Sequence, residues 1–427
     1  MGMHAYHARI GIKPVGLLLL FLLANLAGTK GQYCTSNARY TELPFFDTTA
    51  ITVGANIQYG TATDYLGNAY ALRMDVYYPN LTLDTSPKRP FVMLFHGGGF
   101  VSGDKQAGDI RDLCIHLARR GYVAASVNYR LGYENTEYGQ YKARYRAIQD
   151  GHAAMRYIVN NANAIRIDTS WLFVGGQSAG SILAMGMVYA DPDELDSVAL
   201  RYNSSSVSQT LGNLYSSGNS LTNSYTFKGV FNNWGAVTES ELDAQELLPT
   251  VAFHGGLDSV VYIDTDSSFL HYRLLGSRRL HQRLSTAAVC SELTVDTAGG
   301  HGIFRNSSAE FRAARASCFF KSIFCNSCTN YYATDSVARN CSQVLSEHGL
   351  SADQPLRVYP NPFENVLHIE GMEGSYSLQL FNAMGQQVYH QSSTQGPLVL
   401  DVPPGFYFAH ITQATTGKRY FTRVVRK

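Results

Sequence analysis

Apolar residues follow two alternating patterns between Ile51 and Ile323. Short runs of β-branched and aromatic residues alternate with longer segments in which apolar residues stand three and four positions apart. This alternation is typical of a mostly parallel sheet covered by helices on both faces. The apolar runs predict eight strands: Ile51 to Tyr59, Ala71 to Tyr78, Phe91 to Phe95, Val123 to Tyr129, Trp171 to Val174, Gly229 to Phe231, Val251 to Phe253 and Leu293 to Asp296.

The longer segments predict helices between these strands. One stretch, from Asp191 to Tyr225, is rich in Ser, Asn and Gly and lacks clear periodicity, so we expect an irregular excursion over the sheet there. The predicted helices are Ile110 to Arg120, Tyr145 to Asn160, Ala179 to Tyr189, Ser267 to Leu275 and Ala309 to Phe320.

Both ends of the chain depart from this pattern. Residues 1–31 combine basic residues, an apolar run from Val15 to Leu23 and small residues, which predicts a signal peptide cleaved after Ala27 or after Gly31. The run is too short to span a bilayer, so no stable membrane span is expected. Residues 32–341 would then form the main domain and 342–355 a polar linker. Short alternating runs separated by Pro- and Gly-rich turns predict a small β-sandwich over 356–427.

Composition narrows the class of protein and of partner. Apolar residues make up 45% of the 427 residues and charged residues 16%, which favours a globular chain with a large core. The formal net charge of +1 and the lack of a Lys/Arg cluster argue against nucleic acid as a partner.

Cysteine usage fits an exported protein. Five of the seven cysteines crowd together late in the main domain, and in an oxidising compartment this predicts structural disulfides. Cys325 and Cys328 also have the spacing of a redox or zinc site, but no second such pair accompanies them, so no metal is expected. The odd count leaves one thiol over, and Cys114, between apolar neighbours on a predicted helix, is the candidate for a buried free thiol. The five are Cys290, Cys318, Cys325, Cys328 and Cys341.

A candidate nucleophile stands between a predicted strand and a predicted helix. Gly176-Gln177-Ser178-Ala179-Gly180 has the G-x-S-x-G pattern of a nucleophile elbow, in which a sharp turn exposes the serine hydroxyl. Upstream, His96 to Phe100 closes a strand with three consecutive glycines. Such a loop lets the backbone amides of Gly98 and Gly99, with that of Ala179, donate to an oxyanion. A phosphate-binding loop is the alternative, but no Lys-Ser/Thr pair follows.

Serine needs a base and an orienting carboxylate, expected in the order Ser, acid, His. Asp258 follows the strand Val251 to Phe253 and is the predicted acid, with Asp264 and Asp266 as competitors.

His301 lies among glycines after the last predicted strand and is the predicted base. The other candidates are less suitable. His271 and His281 lie on helical patterns, whereas His96 and His254 end strands, where a structural hydrogen-bonding role is more common.

Together, these motifs resemble those of the carboxylesterases and lipases with an HGGG oxyanion loop. The segment Asn128 to Gly132 is similar to the type-B carboxylesterase branch, and the resemblance spans most of residues 45–323. It implies an α/β-hydrolase fold and ester hydrolysis through an acyl-enzyme, with no cofactor. Asn128 stands where hormone-sensitive-lipase relatives commonly carry Asp, and the long insertions of type-B enzymes are missing. A serine peptidase, a polyester depolymerase and a non-catalytic binding module remain alternatives.

The last seventy or so residues resemble the C-terminal sorting domain of the type IX secretion system. This resemblance implies a bacterial host, the secretion machinery as a partner, and a secreted or cell-surface protein whose tail is removed. A carbohydrate-binding or structural β-module is the alternative. The matching motifs are Val358 to Pro362, Leu367 to Ile369, Leu380 to Gly385, Pro404 to Tyr407 and the basic end at Lys427.

Trp234 follows the sixth predicted strand and is a candidate for lining the acyl pocket; a core or surface position is equally compatible with its sequence context.

Overall fold

The computed structural model describes residues 32–35, 38–202, 206–266, 273–302, 308–335, 341, 357–370, 374–382, 386–394, 396–414 and 419–427. The predicted signal peptide lies outside these residues. The chain divides into two compact units, residues 1–345 and 346–427. Within the part of the chain that the structure describes, no helix is both long and apolar enough to cross a membrane.

A large sheet organises the first unit. Its strands are Ile51–Thr63 (β1), Ala69–Pro79 (β2), Arg89–Phe95 (β3), Val123–Val127 (β4), Ile167–Gln177 (β5), Phe227–Asn233 (β6), Thr250–Gly255 (β8), Ser291–Asp296 (β11) and Tyr331–Thr334 (β12). Among the described residues the sheet has nine strands, in the order β1-β2-β4-β3-β5-β6-β8-β11-β12. β1 and β2 pair antiparallel, as do β2 and β4, whereas all other pairs are parallel. The carboxyl ends of β3, β5, β6, β8 and β11 therefore share one edge.

The predicted eight strands are confirmed, but the sheet has a ninth. β12 was missed because it is a four-residue edge strand with only one buried side chain, so it carries little apolar signal. Three short strands, Ala236–Thr238 (β7), Thr265–Asp266 (β9) and Leu274–Gly276 (β10), form a separate antiparallel sheet in the order β7-β10-β9.

Helices cover both faces of the large sheet. They are Gly108–Arg119 (α1), Glu137–Asn160 (α2), Ala179–Tyr189 (α3), Pro192–Ala199 (α4), Val207–Leu211 (α5), Ser277–Thr286 (α6) and Ala309–Phe324 (α7). The alternation in β3 shows how the layers separate: Phe91, Met93 and Phe95 pack in the core with α2 and α3. Val92 and Leu94 point the other way and pack in the core with α1 and α7.

Two secondary-structure predictions were wrong, one of a helix and one of an irregular stretch. The predicted helix from Ser267 to Leu275 falls partly outside the described residues, and its described end is strand β10; the helix begins at Ser277, where Leu280 and Leu284 lie buried one turn apart. The stretch expected to be irregular contains α4 and α5. Asp191 starts α4 with a complete capping box, in which the Asp191 carboxylate accepts from the Glu194 amide and the Glu194 carboxylate accepts from the Asp191 amide. This local signal outweighs weak periodicity.

The cysteine prediction is confirmed. All seven cysteines lie in the described residues and form three bridges, Cys34–Cys325, Cys290–Cys328 and Cys318–Cys341, while Cys114 is free and buried. Cys325 and Cys328 therefore each pair with a distant cysteine rather than with each other.

The second unit is an antiparallel β-sandwich, as predicted. Arg357–Tyr359 (β13), Val366–Glu370 (β14) and Leu398–Val399 (β17) form one sheet, and Tyr376–Phe381 (β15), Gln387–Thr394 (β16), Gly405–Gln413 (β18) and Arg419–Arg426 (β19) the other. Alternate residues of β15, namely Tyr376, Leu378 and Leu380, are buried in a separate apolar core.

Candidate active site

Ser178 occupies the sharp turn between β5 and α3. Its backbone is strained, with φ of 52° and ψ of −125°, in a region that a residue with a side chain rarely adopts. The flanking glycines are required by close backbone contacts: a Cβ on Gly176 would lie 2.5 Å from the Gly180 carbonyl carbon, and one on Gly180 would lie 2.3 Å from the Phe95 carbonyl oxygen. The end of β3 therefore packs directly beneath the turn and holds Ser178 at the edge of the sheet.

The structure brings the three predicted catalytic residues into one hydrogen-bonded chain. The Ser178 hydroxyl lies 2.8 Å from His301 Nε2, and His301 Nδ1 lies 2.8 Å from Asp258 Oδ2. Each residue stands after a different parallel strand, β5, β8 and β11, whose carboxyl ends share one edge. The Asp258 side chain is fully buried and that of His301 is partly exposed, so the imidazole is accessible from solvent while its carboxylate partner is not.

Asp258 is held in its charged form. Burial opposes ionisation, but hydrogen bonds from His254, from His301 and from the backbone amides of Val260 and Val261 outweigh it and keep the pKa of this carboxyl well below its usual range. A carboxylate that is charged at neutral pH can accept a hydrogen bond from the Nδ1–H of His301. The unprotonated Nε2 is then free to accept a hydrogen bond from the Ser178 hydroxyl.

The glycine loop after β3 lies beside the turn. Gly98 and Gly99 have φ of 113° and 63°, and a Cβ on Gly98 would lie 2.0 Å from the Ser102 carbonyl oxygen. Within the described residues, the amides of Gly98, Gly99 and Ala179 donate to no protein acceptor. Ala179 is the first residue of α3, where the helix N-terminus favours negative charge.

The segment after β4 anchors this loop. Tyr129 stacks its ring on His96 at 4.5 Å between centroids and donates its hydroxyl to the His96 carbonyl at 2.8 Å. Asn128 donates to Asp104 at 2.8 Å and accepts from the amide of Lys105. The side-chain amide of Asn128 thus binds Asp104 through its nitrogen and Lys105 through its oxygen, and so holds the stretch that follows the glycines.

The competing candidates lie elsewhere. Asp264 pairs with Arg278, and His281 lies on α6 next to Ser291, 3.0 Å from its hydroxyl. The side chains of His271 and Asp266 are outside the described residues. His96 is stacked on Tyr129, and burial lowers the pKa of the His96 imidazole.

His254 has a position that the sequence did not reveal. It is fully buried, with Nε2 2.8 Å from the Val261 carbonyl oxygen and 3.3 Å from Asp258 Oδ2. Its Nδ1 lies 2.6 Å from the Ser277 hydroxyl, which accepts from the Asn232 amide at 3.0 Å. A carbonyl can only accept, so Nε2 carries the proton and Nδ1 accepts from Ser277. Hydrogen bonds therefore run from Asn232 to Ser277 and from Ser277 to His254, whose protonated Nε2 faces Asp258.

Two further residues hold the turn. The Asn233 carbonyl accepts from the Ser178 amide at 2.9 Å, and its side-chain amide donates to the Gly176 carbonyl at 2.8 Å. Arg312, fully buried on α7, donates to the Asn233 side chain at 3.2 Å and pairs with Asp109. The Asn-Asn-Trp-Gly sequence at the end of β6 was the only sequence signal for this clamp, and it does not indicate which strand Asn233 contacts.

Trp234 lies in the buried core. It is 3% exposed, and the Arg312 guanidinium lies 5.0 Å from its ring centroid. This contact is a cation–π interaction in the layer with α1 and α7. Lining of the acyl pocket by Trp234 stays a prediction.

Comparisons with known proteins agree with both resemblances. Residues 74–214 match the family model BD-FAE, and residues 357–425 match the secretion system C-terminal sorting domain. The sorting domain indicates export, or retention at the cell surface, in a bacterium.

Among curated proteins, 119 residues are 34% identical to Esterase LipI of Mycobacterium tuberculosis, covering 28% of this chain and 34% of that protein. A further 117 residues are 30% identical to the neuroligin-like protein glit-1 of Caenorhabditis elegans, covering 26% of this chain and 15% of that protein. The chain thus spans about a third or less of the length of these relatives. Among solved structures, a butyrate-bound thermophilic esterase, Est2 of Thermogutta terrifontis, is similar with a TM-score of 0.43 and 18% identity, covering 64% of this chain and 91% of that one.

Proposed function

We propose that the chain is an exported serine hydrolase that cleaves carboxylic esters through an acyl-enzyme on Ser178. The observation that supports this most directly is the pair of 2.8 Å contacts that link Ser178 to His301 and His301 to Asp258. A serine hydroxyl is a weak nucleophile at neutral pH, and such a chain is the arrangement that activates it.

In the proposed first step, Ser178 Oγ attacks the ester carbonyl carbon while its proton passes to His301 Nε2. Asp258 stabilises the imidazolium that forms, because its carboxylate is already charged and bonded to Nδ1. The carbonyl oxygen becomes an oxyanion, to which the amides of Gly98, Gly99 and Ala179 donate. Loss of one such donor costs roughly 3 kcal/mol of barrier in well-studied hydrolases.

Collapse of the tetrahedral intermediate breaks the bond to the alcohol oxygen, and His301 gives its proton to the leaving alcohol. Water then attacks the acyl-enzyme with His301 again as base, and the second collapse releases the acid and restores the Ser178 hydroxyl. No cofactor takes part in these steps.

The export route belongs to the same proposal. The N-terminal signal peptide directs the chain across the inner membrane, and the sorting domain engages the type IX secretion machinery at the outer membrane. In this scheme residues 32–341 are the catalytic domain, 342–355 the linker and 356–427 the sorting domain.

The test is hydrolysis of p-nitrophenyl acetate by the purified chain, with fluorophosphonate labelling as a second readout. Ser178→Ala is expected to lower kcat by more than about a thousandfold and to abolish labelling. Ser197→Ala, at an exposed position on α4, is the matched control and keeps the label. Wild-type protein that neither hydrolyses the ester nor takes the label would refute the proposal and favour a binding module. If the protein cleaved a peptide or a polyester faster than acetyl esters, the proposed substrate class would change from simple carboxylic esters to that polymer.

A further inference from the structure

A cavity of about 580 Å³ lies far from Ser178. Met187 and Val188, in the last turn of α3, form part of its wall, whereas Ser178 precedes the first turn. α3 has 11 residues, so the two ends are about 16 Å apart along its axis. The cavity is large enough for a small organic molecule. Much of its wall is apolar or aromatic, formed by Met187, Tyr215, Leu221, Tyr225, Phe227 and Leu248.

Arg156 lines this cavity and is only 4% exposed. Its Nε donates to the Asn219 side chain at 3.2 Å and one terminal nitrogen to the Ser217 carbonyl at 2.6 Å. Within the described part of the chain, no carboxylate forms an ion pair with it. Buried charges in proteins are usually paired, because an isolated charge is unfavourable to remove from water.

His152 stands one turn before Arg156 on α2 and is also 4% exposed. Its Nδ1 lies 2.6 Å from the Tyr225 hydroxyl, while its Nε2 is buried and has no hydrogen-bond partner among the residues that the structure describes. Burial, and then the charge of Arg156, lower the pKa of His152 to about 3, so the ring is neutral at physiological pH. When Tyr225 donates to Nδ1, the proton of the neutral ring is on Nε2, so a residue of the cavity wall carries a buried donor.

We propose that this cavity binds a small organic carboxylate with an aromatic body. The carboxylate would accept from the Arg156 guanidinium and from His152 Nε2. It would supply a counter-charge to Arg156 and a hydrogen-bond partner to Nε2, neither of which the described residues provide. The aromatic body would pack against Tyr215, Tyr225 and the apolar wall. Inorganic anions fit less well because they leave that wall unfilled. The lining carboxylate Glu246 is exposed to solvent, and solvent screens its repulsion.

The experiment is isothermal titration calorimetry of the full chain with benzoate, with benzamide and inorganic phosphate titrated in parallel. Benzoate is expected to bind at least about tenfold more tightly than either. Benzamide keeps the aromatic body and removes the charge, whereas phosphate keeps the charge and removes the body. The titration is repeated on Ser178→Ala and His301→Ala, which are expected to retain benzoate affinity because the active site is at the other end of α3.

Two variants test the location by independent routes. Arg156→Met removes the cation, and Leu221→Trp fills the cavity while leaving Arg156 in place. Each is expected to weaken benzoate binding by at least about tenfold. Arg111→Met, which removes an exposed arginine on α1, is the matched control and keeps wild-type affinity. Far-ultraviolet circular dichroism shows that each variant is folded.

The inference is overturned if benzamide or phosphate binds as tightly as benzoate, or if wild-type protein shows no benzoate binding at about 10 mM. It is also overturned if binding survives in both Arg156→Met and Leu221→Trp, or if Ser178→Ala and His301→Ala abolish it. Failure of the ester hydrolysis assay leaves this test intact, because benzoate binding requires no turnover.

Discussion

Replacement of Gly180 by alanine tests whether close packing between β3 and α3 positions Ser178, the proposed nucleophile. Gly180 is the second residue of α3, and an added Cβ would lie 2.3 Å from the Phe95 carbonyl oxygen and 2.4 Å from that of His96. Real Cβ atoms essentially never approach other atoms closer than 3.0 Å, so strand and helix must separate by at least about 0.7 Å. Both neighbouring atoms belong to backbone and cannot rotate away.

The separation should affect activity more than its size suggests. β3 leads into the loop of Gly98 and Gly99, and α3 begins with Ala179, so the shift moves the proposed oxyanion donors apart. Misplacement of about 1 Å can cost 10²-fold in rate, and overpacking of this kind typically costs 1–3 kcal/mol of stability. We therefore expect Gly180→Ala to lower kcat for p-nitrophenyl acetate by about ten- to a hundredfold and to lower the free energy of unfolding by about 1–3 kcal/mol.

Gly186→Ala is the matched control on the same helix. There the added Cβ would lie 2.5 Å from Ile148 Cδ1, the tip of a flexible side chain that can move. We expect a stability loss of about 1 kcal/mol or less and a kcat within about twofold of wild type. Both free energies come from urea unfolding and both rates from the ester assay. The reasoning is refuted if Gly180→Ala keeps wild-type kcat and stability, or if Gly186→Ala loses as much activity.

Three further predictions follow from other parts of the first unit. Asp258→Asn should lower kcat at neutral pH by about 10⁴-fold, because the amide lets His301 adopt the tautomer that cannot accept from Ser178; Asp264→Asn, at the competing acid, should leave kcat unchanged. His152 has a folded pKa lowered to about 3, below its unfolded value of about 6.5, so the unfolded chain binds more protons between these pH values. The free energy of unfolding should therefore fall as pH drops from about 6.5 towards 3, by up to about 1.4 kcal/mol per unit from this group, and more gently in His152→Gln; equal pH slopes in the two proteins would contradict this. Removal of the Cys290–Cys328 bridge by a double alanine substitution should cost up to about 4 kcal/mol in urea unfolding, because it closes a loop with a sequence separation of 38; Cys114→Ala, at the free thiol, should cost only about 1 kcal/mol, and a bridge variant no less stable than Cys114→Ala would count against the loop-entropy argument.

The sequence by itself determined what depends on local pattern. Alternation and runs of apolar residues identified all eight predicted strands, because a strand buried on both faces needs apolar side chains on both. The elbow around Ser178 and the glycines at 97–99 were readable because each needs particular residues at fixed spacing. Asp258 and His301 followed from their places after parallel strands. In the structure His301 lies within hydrogen-bonding distance of both Ser178 and Asp258.

Local pattern did not reveal contacts between residues distant in sequence, and these were decided by the tertiary structure. The pairing of Cys34 with Cys325, the support of Asp258 by His254, and the clamp of Asn233 and Arg312 on the elbow each join separate elements. The buried pair His152 and Arg156 also depends on the tertiary structure. In the sequence of α2 alone, the two residues are only two polar side chains one helical turn apart. Only the packing of the 215–226 loop and the end of α3 around this pair creates a cavity lined by a buried cation that no carboxylate of the described residues pairs. Burial and partner choice are properties of the folded chain rather than of any one segment.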